Sequence, residues 1–332
     1  MRISTLQTIS GQVDVRGAAL LGVLVLVMAG FTMLSDRFLD YDNLVNLLLQ
    51  ASVTGIAAVG LAFVIMTAGI DLSVGSTMNL SLVLAVVVAG TAGTMEFTTE
   101  TSWLVYPVAV LAGTALGAGN ALAIIHLRLN PLIVTLATLS IYRGVALHLT
   151  GGREVLVFGA IREFGRGTVG LGIGYPVVAM ILLAVLAIYI LRKTNIGRFV
   201  LAVGGSQRSA RENGIPSNQT LIFAYSFAGL AAAVAGLVLV GRVGAVNPDL
   251  GWQFEFTVIT AVVLGGTSLL GGKGSIQGAI VAAVLLATIS NGLNLIGADP
   301  YIYDVIRGTI LLLAVLLDAA AQNRSALPAA RS

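Results

Sequence analysis

Residues 44–93 read LVNLLLQASVTGIAAVGLAFVIMTAGIDLSVGSTMNLSLVLAVVVAGTAG, fifty positions with a single ionisable side chain, Asp71. A helix needs about 20 apolar residues, at 1.5 Å rise each, to cross the hydrocarbon core of a bilayer. The stretch therefore holds two such runs, 44–68 and 72–93, separated by Gly69-Ile70-Asp71-Leu72-Ser73-Val74-Gly75-Ser76. Lipid offers no partner to a free N–H or C=O, which leaves only helices and closed barrels. Strands of a barrel alternate apolar and polar side chains, whereas these runs are solidly apolar, so helices are expected. At the junction Gly69 is suited to end one helix, and Asp71 or Ser73 to cap the next. Two arrangements are open: a tight hairpin at the cytoplasmic surface, or a break inside the membrane that lines a solute path. In the second, Asp71, Ser73 and, further along, Asn79 would face the path.

The same reading extends over the chain. Apolar runs occur at 17–34, 44–68, 72–93, 103–127, 131–150, 170–191, 220–243, 254–272, 276–296 and 302–318. The expected fold is an all-α integral membrane protein of about ten transmembrane helices, a single domain over 1–332. Composition agrees: 57% of the 332 residues are hydrophobic and 10% charged, against about 25% charged in soluble proteins. The mean hydropathy is +0.97. The 40 glycines suit membrane helices that approach closely. With the N-terminus cytoplasmic, the inner segments hold Arg2, Arg16, Arg128, Arg192, Lys193, Arg198, Arg208, Arg211, Lys273, Arg324 and Arg331. The outer ones hold only Arg37, Arg153, Arg162, Arg166 and Arg242. Basic residues favour the cytoplasmic side, so both termini are expected there. This clustering is a topology signal, not a nucleic-acid footprint. Two inverted five-helix halves would follow from an odd number of helices per half; residues 69–75 and 266–272 carry a short echo of one another.

Several chemistries lack their residues. The chain has no Cys and two His, His126 and His148, so thiolate and histidine-cluster metal sites are not expected, nor any cofactor. The Gly-dense stretch 265–275 has Lys273 but not the G-x4-G-K-[ST] order of a phosphate-binding loop. No apolar run carries a central Asp or Glu: Asp71 is read near the cytoplasmic end, and Glu255, Asp299 and Asp304 near outer ends. This counts against a proton-driven carrier, which keeps an ionisable group inside the membrane. A membrane enzyme has no visible machinery at all. Arg143 and Arg307 fall within runs close to their outer ends, where snorkelling accounts for them. Asn291 and Asn294, one turn apart, join Asn79 and Thr135 as candidates to bind hydroxyl groups in a pathway. Interhelical hydrogen bonding is the alternative for each.

The long basic loop 192–219 follows the sixth run. After Gly204-Gly205, Ser206 can cap a short helix ending at Gly214. Small residues on one face and arginine on the other suit docking to a soluble partner.

These residues carry a resemblance over nearly the whole chain to the ribose-type sugar ABC transporter permease family. It rests on Ala58-Val59-Gly60 ahead of residues 69–76, on Asn130-Pro131-Leu132-Ile133-Val134-Thr135-Leu136-Ala137-Thr138 with Tyr142-Arg143-Gly144, and on Gly197-Arg198, Gly204-Gly205, Ala210-Arg211 and Gly214-Ile215 in the loop. Ala261-Val262-Val263-Leu264-Gly265-Gly266-Thr267-Ser268, Gly271-Gly272-Lys273-Gly274 and Asn291-Gly292-Leu293-Asn294-Leu295 complete it. The chain departs from the family pattern at Leu132, Ser206 and Thr257. The resemblance implies a multi-pass subunit of the bacterial inner membrane that imports a monosaccharide. It implies a cytoplasmic ATP-binding subunit, a periplasmic or lipid-anchored sugar-binding protein and a second permease subunit, identical or paralogous. Residues Ser206, Gln207, Arg208, Ala210, Arg211 and Gly214 would then form the coupling helix seated on the ATPase. A secondary sugar carrier or facilitator is the alternative.

Overall fold

Each of the ten apolar runs contains a helix, as backbone pairing in lipid favours. The computed structural model describes residues 15–90 and 98–326; Arg2, Arg331 and the end of the third run, 91–93, lie outside the described residues. In chain order the helices are α1 (Val15–Leu34), α2 (Tyr41–Met66), α3 (Val74–Ala89), α4 (Val105–Leu127), α5 (Pro131–Thr150), the short α6 (Ala160–Arg166), α7 (Tyr175–Lys193), α8 (Asn195–Gly205), α9 (Gln207–Glu212), α10 (Ser217–Val243), α11 (Phe254–Leu264), α12 (Ile276–Leu295) and α13 (Pro300–Ala326).

Seven of them, α1, α2, α4, α5, α7, α10 and α12, are long and apolar enough to cross a membrane. This is a multi-pass membrane protein. Two expected spans come out short. α3 has 16 residues and α11 has 11, or about 24 and 16 Å against a core of about 30 Å. α13 carries Asp304, Arg307, Asp318 and Arg324 along its 27 residues and is not among the seven. Several helix ends follow the residues that predicted them. Asn130 caps α5 by accepting a hydrogen bond from Leu132 N at 2.9 Å, with Pro131 in the first turn.

α2 forms the axis of the bundle: from Ala51 to Met66 all but one residue is buried. It packs against α10, α12 and α7, and α10 in turn packs against α4. Small residues set these distances. A methyl group added to Gly117 on α4 would come 2.1 Å from the Tyr225 carbonyl oxygen of α10, and one on Gly60 of α2 would come 2.4 Å from the Ala231 methyl. Dispersion between close backbones holds membrane helices together where lipid removes the hydrophobic drive.

The all-α expectation misses a small sheet. β1 (Thr98–Thr101) pairs in parallel with β2 (Val155–Gly159), with Thr99 opposite Val157, and β2 pairs antiparallel with β5 (Ala245–Val246). A second hairpin joins β3 (Thr168–Val169) to β4 (Ile173–Gly174). These connections lie at the end of the bundle where α2 begins and α10 finishes. Thr101 Oγ1 donates to the Phe158 carbonyl at 2.7 Å and accepts from Ile161 N at 3.2 Å, and Tyr106 donates to the Ala160 carbonyl. Folded connections must pair their backbone groups, and here they do so across three loops far apart in sequence.

Candidate functional site

The segment between α2 and α3 is inside the bundle. Asp71 is 3% exposed, and Ser73 and Asn120 are fully buried; α4, α5 and α10 enclose the segment. The surface-hairpin arrangement is therefore replaced by a buried break. Two residues past the end of α2 the chain turns at Ala68, in the left-handed region at φ +62°, an unusual position for a residue with a Cβ. Gly69 has a different task. It lies so close to Tyr225 that a methyl group there would meet the phenolic oxygen at 2.7 Å.

Neither Asp71 nor Ser73 caps α3 in the expected way. Asp71 Oδ1 accepts from Ser73 N at 2.8 Å and from Ser73 Oγ at 2.6 Å, closing the turn on itself. Ser73 Oγ accepts from Asn120 Nδ2 at 2.8 Å, and Asn120 Oδ1 accepts from the Tyr142 hydroxyl at 3.1 Å. The free carbonyl of Ile70 accepts from Thr135 Oγ1 at 3.3 Å and from the Tyr225 hydroxyl at 3.4 Å. Three helices thus supply the partners that a broken helix loses in lipid. Asn120, Tyr142 and Tyr225 were not anticipated, although an Asn within the apolar run 103–127 was a readable signal. Asp71, read from the sequence only as lying near one end of its runs, is enclosed by protein at the break. We expect Asp71→Asn, which keeps the accepting oxygen, to fold like the parent. Asp71→Leu leaves two buried donors without an acceptor, at about 1–3 kcal/mol each. Thermal unfolding in detergent should separate the two variants.

A second break precedes α11, where Gln253 also takes a left-handed conformation, φ +56°. The two breaks touch: a methyl group on Gly75 would lie 2.2 Å from the Gly251 carbonyl oxygen. Asn79 Nδ2 donates to the Pro248 carbonyl at 3.4 Å. Arg143 reaches the same backbone, donating from Nη2 to the Gly251 carbonyl at 3.4 Å, with its guanidinium 4.7 Å from the centre of the Trp252 ring. Arg307 donates to Thr257 Oγ1 at 3.0 Å and to Gln253 Oε1 at 2.9 Å, and pairs with Asp304 at 3.0 Å. Glu255, beside Gly75, is 6% exposed. Arg143 and Arg307 both turn toward the segment before α11, whose backbone and polar side chains supply their partners.

Of the residues singled out in the sequence, the structure gathers Asp71, Ser73 and Thr135 at the first break, and Asn79 where the breaks meet. Asn291 stands apart, exchanging hydrogen bonds with Asn43 at 3.1 and 2.9 Å between α12 and α2. Asn294 is exposed near the end of α12.

The opposite end of the bundle carries α8 and α9, where one short helix was expected. Thr194 caps α8, accepting from Gly197 N at 3.4 Å, and Ser206 caps α9, accepting from Ser209 N at 3.2 Å. The chain leaves through Gly214 at φ +76°. Ser206, Gln207, Arg208, Arg211 and Gly214 are exposed, but Ala210 is only 4% exposed. It belongs to the seat of α9 on its own chain, so the outer face is the one that carries arginine. α8 in turn presses on α2 beside the first break. A methyl group on Gly204 would lie 1.8 Å from the Met66 carbonyl oxygen, which accepts from Gly272 N at 2.9 Å.

Residues 43–315 match the family model described as branched-chain amino acid transport system / permease component. The chain is 38% identical over 308 residues to the Ribose import permease protein RbsC of Bacillus subtilis (strain 168), covering 90% of this chain and 91% of that protein. It is 38% identical over 329 residues to Ribose import permease protein RbsC of Escherichia coli (strain K12), covering 95% and 98%. The D-allose transport system permease protein AlsC of Escherichia coli (strain K12) is 32% identical over 299 residues, covering 89% of each chain. No solved structure gives a significant match. With helices suited to a bilayer and permease subunits as relatives over about nine-tenths or more of their length, the chain is a transport subunit and not an enzyme, and it belongs to the branched-chain amino acid transport system permease component family.

Proposed function

We propose that this chain is the membrane-spanning subunit of an ATP-driven bacterial importer that carries a monosaccharide, ribose or a related pentose or hexose, into the cytoplasm. The observation that carries this reading is its 38% identity, nearly end to end, to ribose import permeases. The transport name of the wider family mentions amino acids, but the similar relatives are sugar permeases. In this reading the chain works with a cytoplasmic ATP-binding subunit, a periplasmic or lipid-anchored sugar-binding protein, and a second permease copy or paralogue.

The distribution of basic residues supports ten membrane-embedded helices with both termini cytoplasmic. Helix lengths support two inverted halves. The long α2 before the short α3 (26 and 16 residues) has its counterpart in the long α10 before the short α11 (27 and 11). The echo between 69–75 and 266–272 does not fit this pairing, since those segments follow different members of each half. The sheet end then faces the binding protein, and α9 meets the ATPase. Motion of α9 would pass through α8 and Gly204 to Met66, and from there to the break held by Asp71, Ser73 and Thr135. The break and Asn79 would border the sugar path.

A buried Asp71 is also what a proton-coupled carrier would use, so the test must separate the two drives. In proteoliposomes containing the permease, its ATPase and its binding protein, uptake of radiolabelled sugar should require ATP inside the vesicle's cytoplasmic face. The permease alone should give no uphill uptake under a proton or sodium gradient. Concentrative uptake by the isolated subunit would move the assignment to a secondary carrier.

A further inference from the structure

We propose that the contact between the first turns of α3 and α11 is a binding station for a neutral, hydroxyl-rich solute, with Asn79, Arg143 and Glu255 as the side chains that touch it. This rests on the monosaccharide reading above and adds the residues that would recognise the solute inside the membrane. Three buried polar atoms there have no hydrogen-bond partner: Asn79 Oδ1, Arg143 Nε and Glu255 Oε2. Asn79 is 1% exposed and Glu255 6%. Buried polar atoms are rarely left unpaired in folded proteins, because each one costs free energy that a partner would return.

All three belong to one place. Asn79 already donates to the Pro248 carbonyl and Arg143 to the Gly251 carbonyl, and Glu255 Oε2 sits against Gly75. Two acceptors and one donor remain open at the junction. A hydroxyl group both donates and accepts, so neighbouring hydroxyls on a sugar ring can satisfy such a set. An anion would meet two acceptors, and a cation would meet the guanidinium. Trp252, 62% exposed, adds an aromatic face beside Arg143 on which the apolar side of a sugar ring can rest. The left-handed Gln253 lets the chain reverse here, and strained residues of this kind persist where the surrounding structure holds them for use.

The test uses the complete importer, permease with ATPase and binding protein, in proteoliposomes supplied with radiolabelled D-ribose, D-allose and D-xylose. Glu255→Gln keeps the shape of the side chain and Asn79→Leu removes both polar atoms. Each is expected to lower uptake of the wild-type sugar by about tenfold or more, a loss typical of a missing polar contact to substrate. Copurification with the ATPase and the detergent elution profile should match those of the parent, because a missing solute contact does not unfold the subunit. Uptake by either variant within twofold of wild type would overturn the proposal. So would parallel loss of uptake and assembly, which would make the junction a structural element. If the wild-type importer carries none of the three sugars and no other pentose or hexose, the monosaccharide reading itself fails, a result distinct from failure of the station.

Discussion

Permease carrying Arg208→Glu together with Arg211→Glu should no longer copurify with its ATPase and should transport nothing. Both arginines are exposed on α9, and the Arg208–Glu212 pair beside them is open to solvent, with side chains 90% and 61% exposed. Such a pair contributes little to the fold, so the protein should express and insert as before. At an interface the position is different. Arginine is enriched among residues whose loss costs 2 kcal/mol or more, and reversal adds repulsion to that loss. Together the two changes should weaken association about a thousandfold, since each 1.4 kcal/mol is a factor of ten. Ala210→Glu is the less informative change. Ala210 is packed inward, so a charge there would first unseat α9 from its own bundle. Pull-down of the ATPase by tagged permease, with the detergent elution profile as the control for folding, measures the effect. Normal copurification by the double variant would mean that α9 is a connector and not a docking element.

Gly204→Val should leave association intact and weaken coupling. Its Cβ would enter the space of the Met66 carbonyl, 1.8 Å away, and approach Gly272 N at 2.5 Å. Both neighbours are backbone and neither can swing aside, so α8 must lift from α2 at a cost of about 1–3 kcal/mol. The hydrogen bond from Gly272 N to Met66 would be wedged apart. Because Met66 ends α2 just before the break, the disturbance falls on the route from α9 to Asp71. Sugar uptake per ATP hydrolysed should fall by about tenfold or more, as expected for a free-energy loss of that size, while the ATPase remains bound. The neighbouring Gly205→Ala is the control, since its Cβ would meet nothing within 4 Å. Equal coupling ratios in the two variants would remove Gly204 from the pathway of force.

Membrane character and the positions of the helices were legible because both depend on local composition. Apolar runs partition into lipid, and in lipid a single chain segment satisfies its backbone as a helix. Capping was legible for the same reason: Asn130-Pro131 and Ser206 act on groups within three residues of themselves. The family, too, could be read from motifs spread along the chain. Depth was not legible. A Gly-Ile-Asp-Leu-Ser segment reads alike at a surface and inside a bundle, and only the arrival of Asn120, Thr135, Tyr142 and Tyr225 from other helices makes the buried break tolerable. Arg143 and Arg307 follow the same rule, as these partners lie 108 and 50 residues away. The length of α3 and α11 was also hidden, because apolar sequence continues past the point where the neighbouring backbone makes the chain turn. Sequence alone determined what enters the membrane, since transfer into lipid is close to a sum over residues. Tertiary structure decided which polar groups face one another there, since each needs a partner that only another helix can bring.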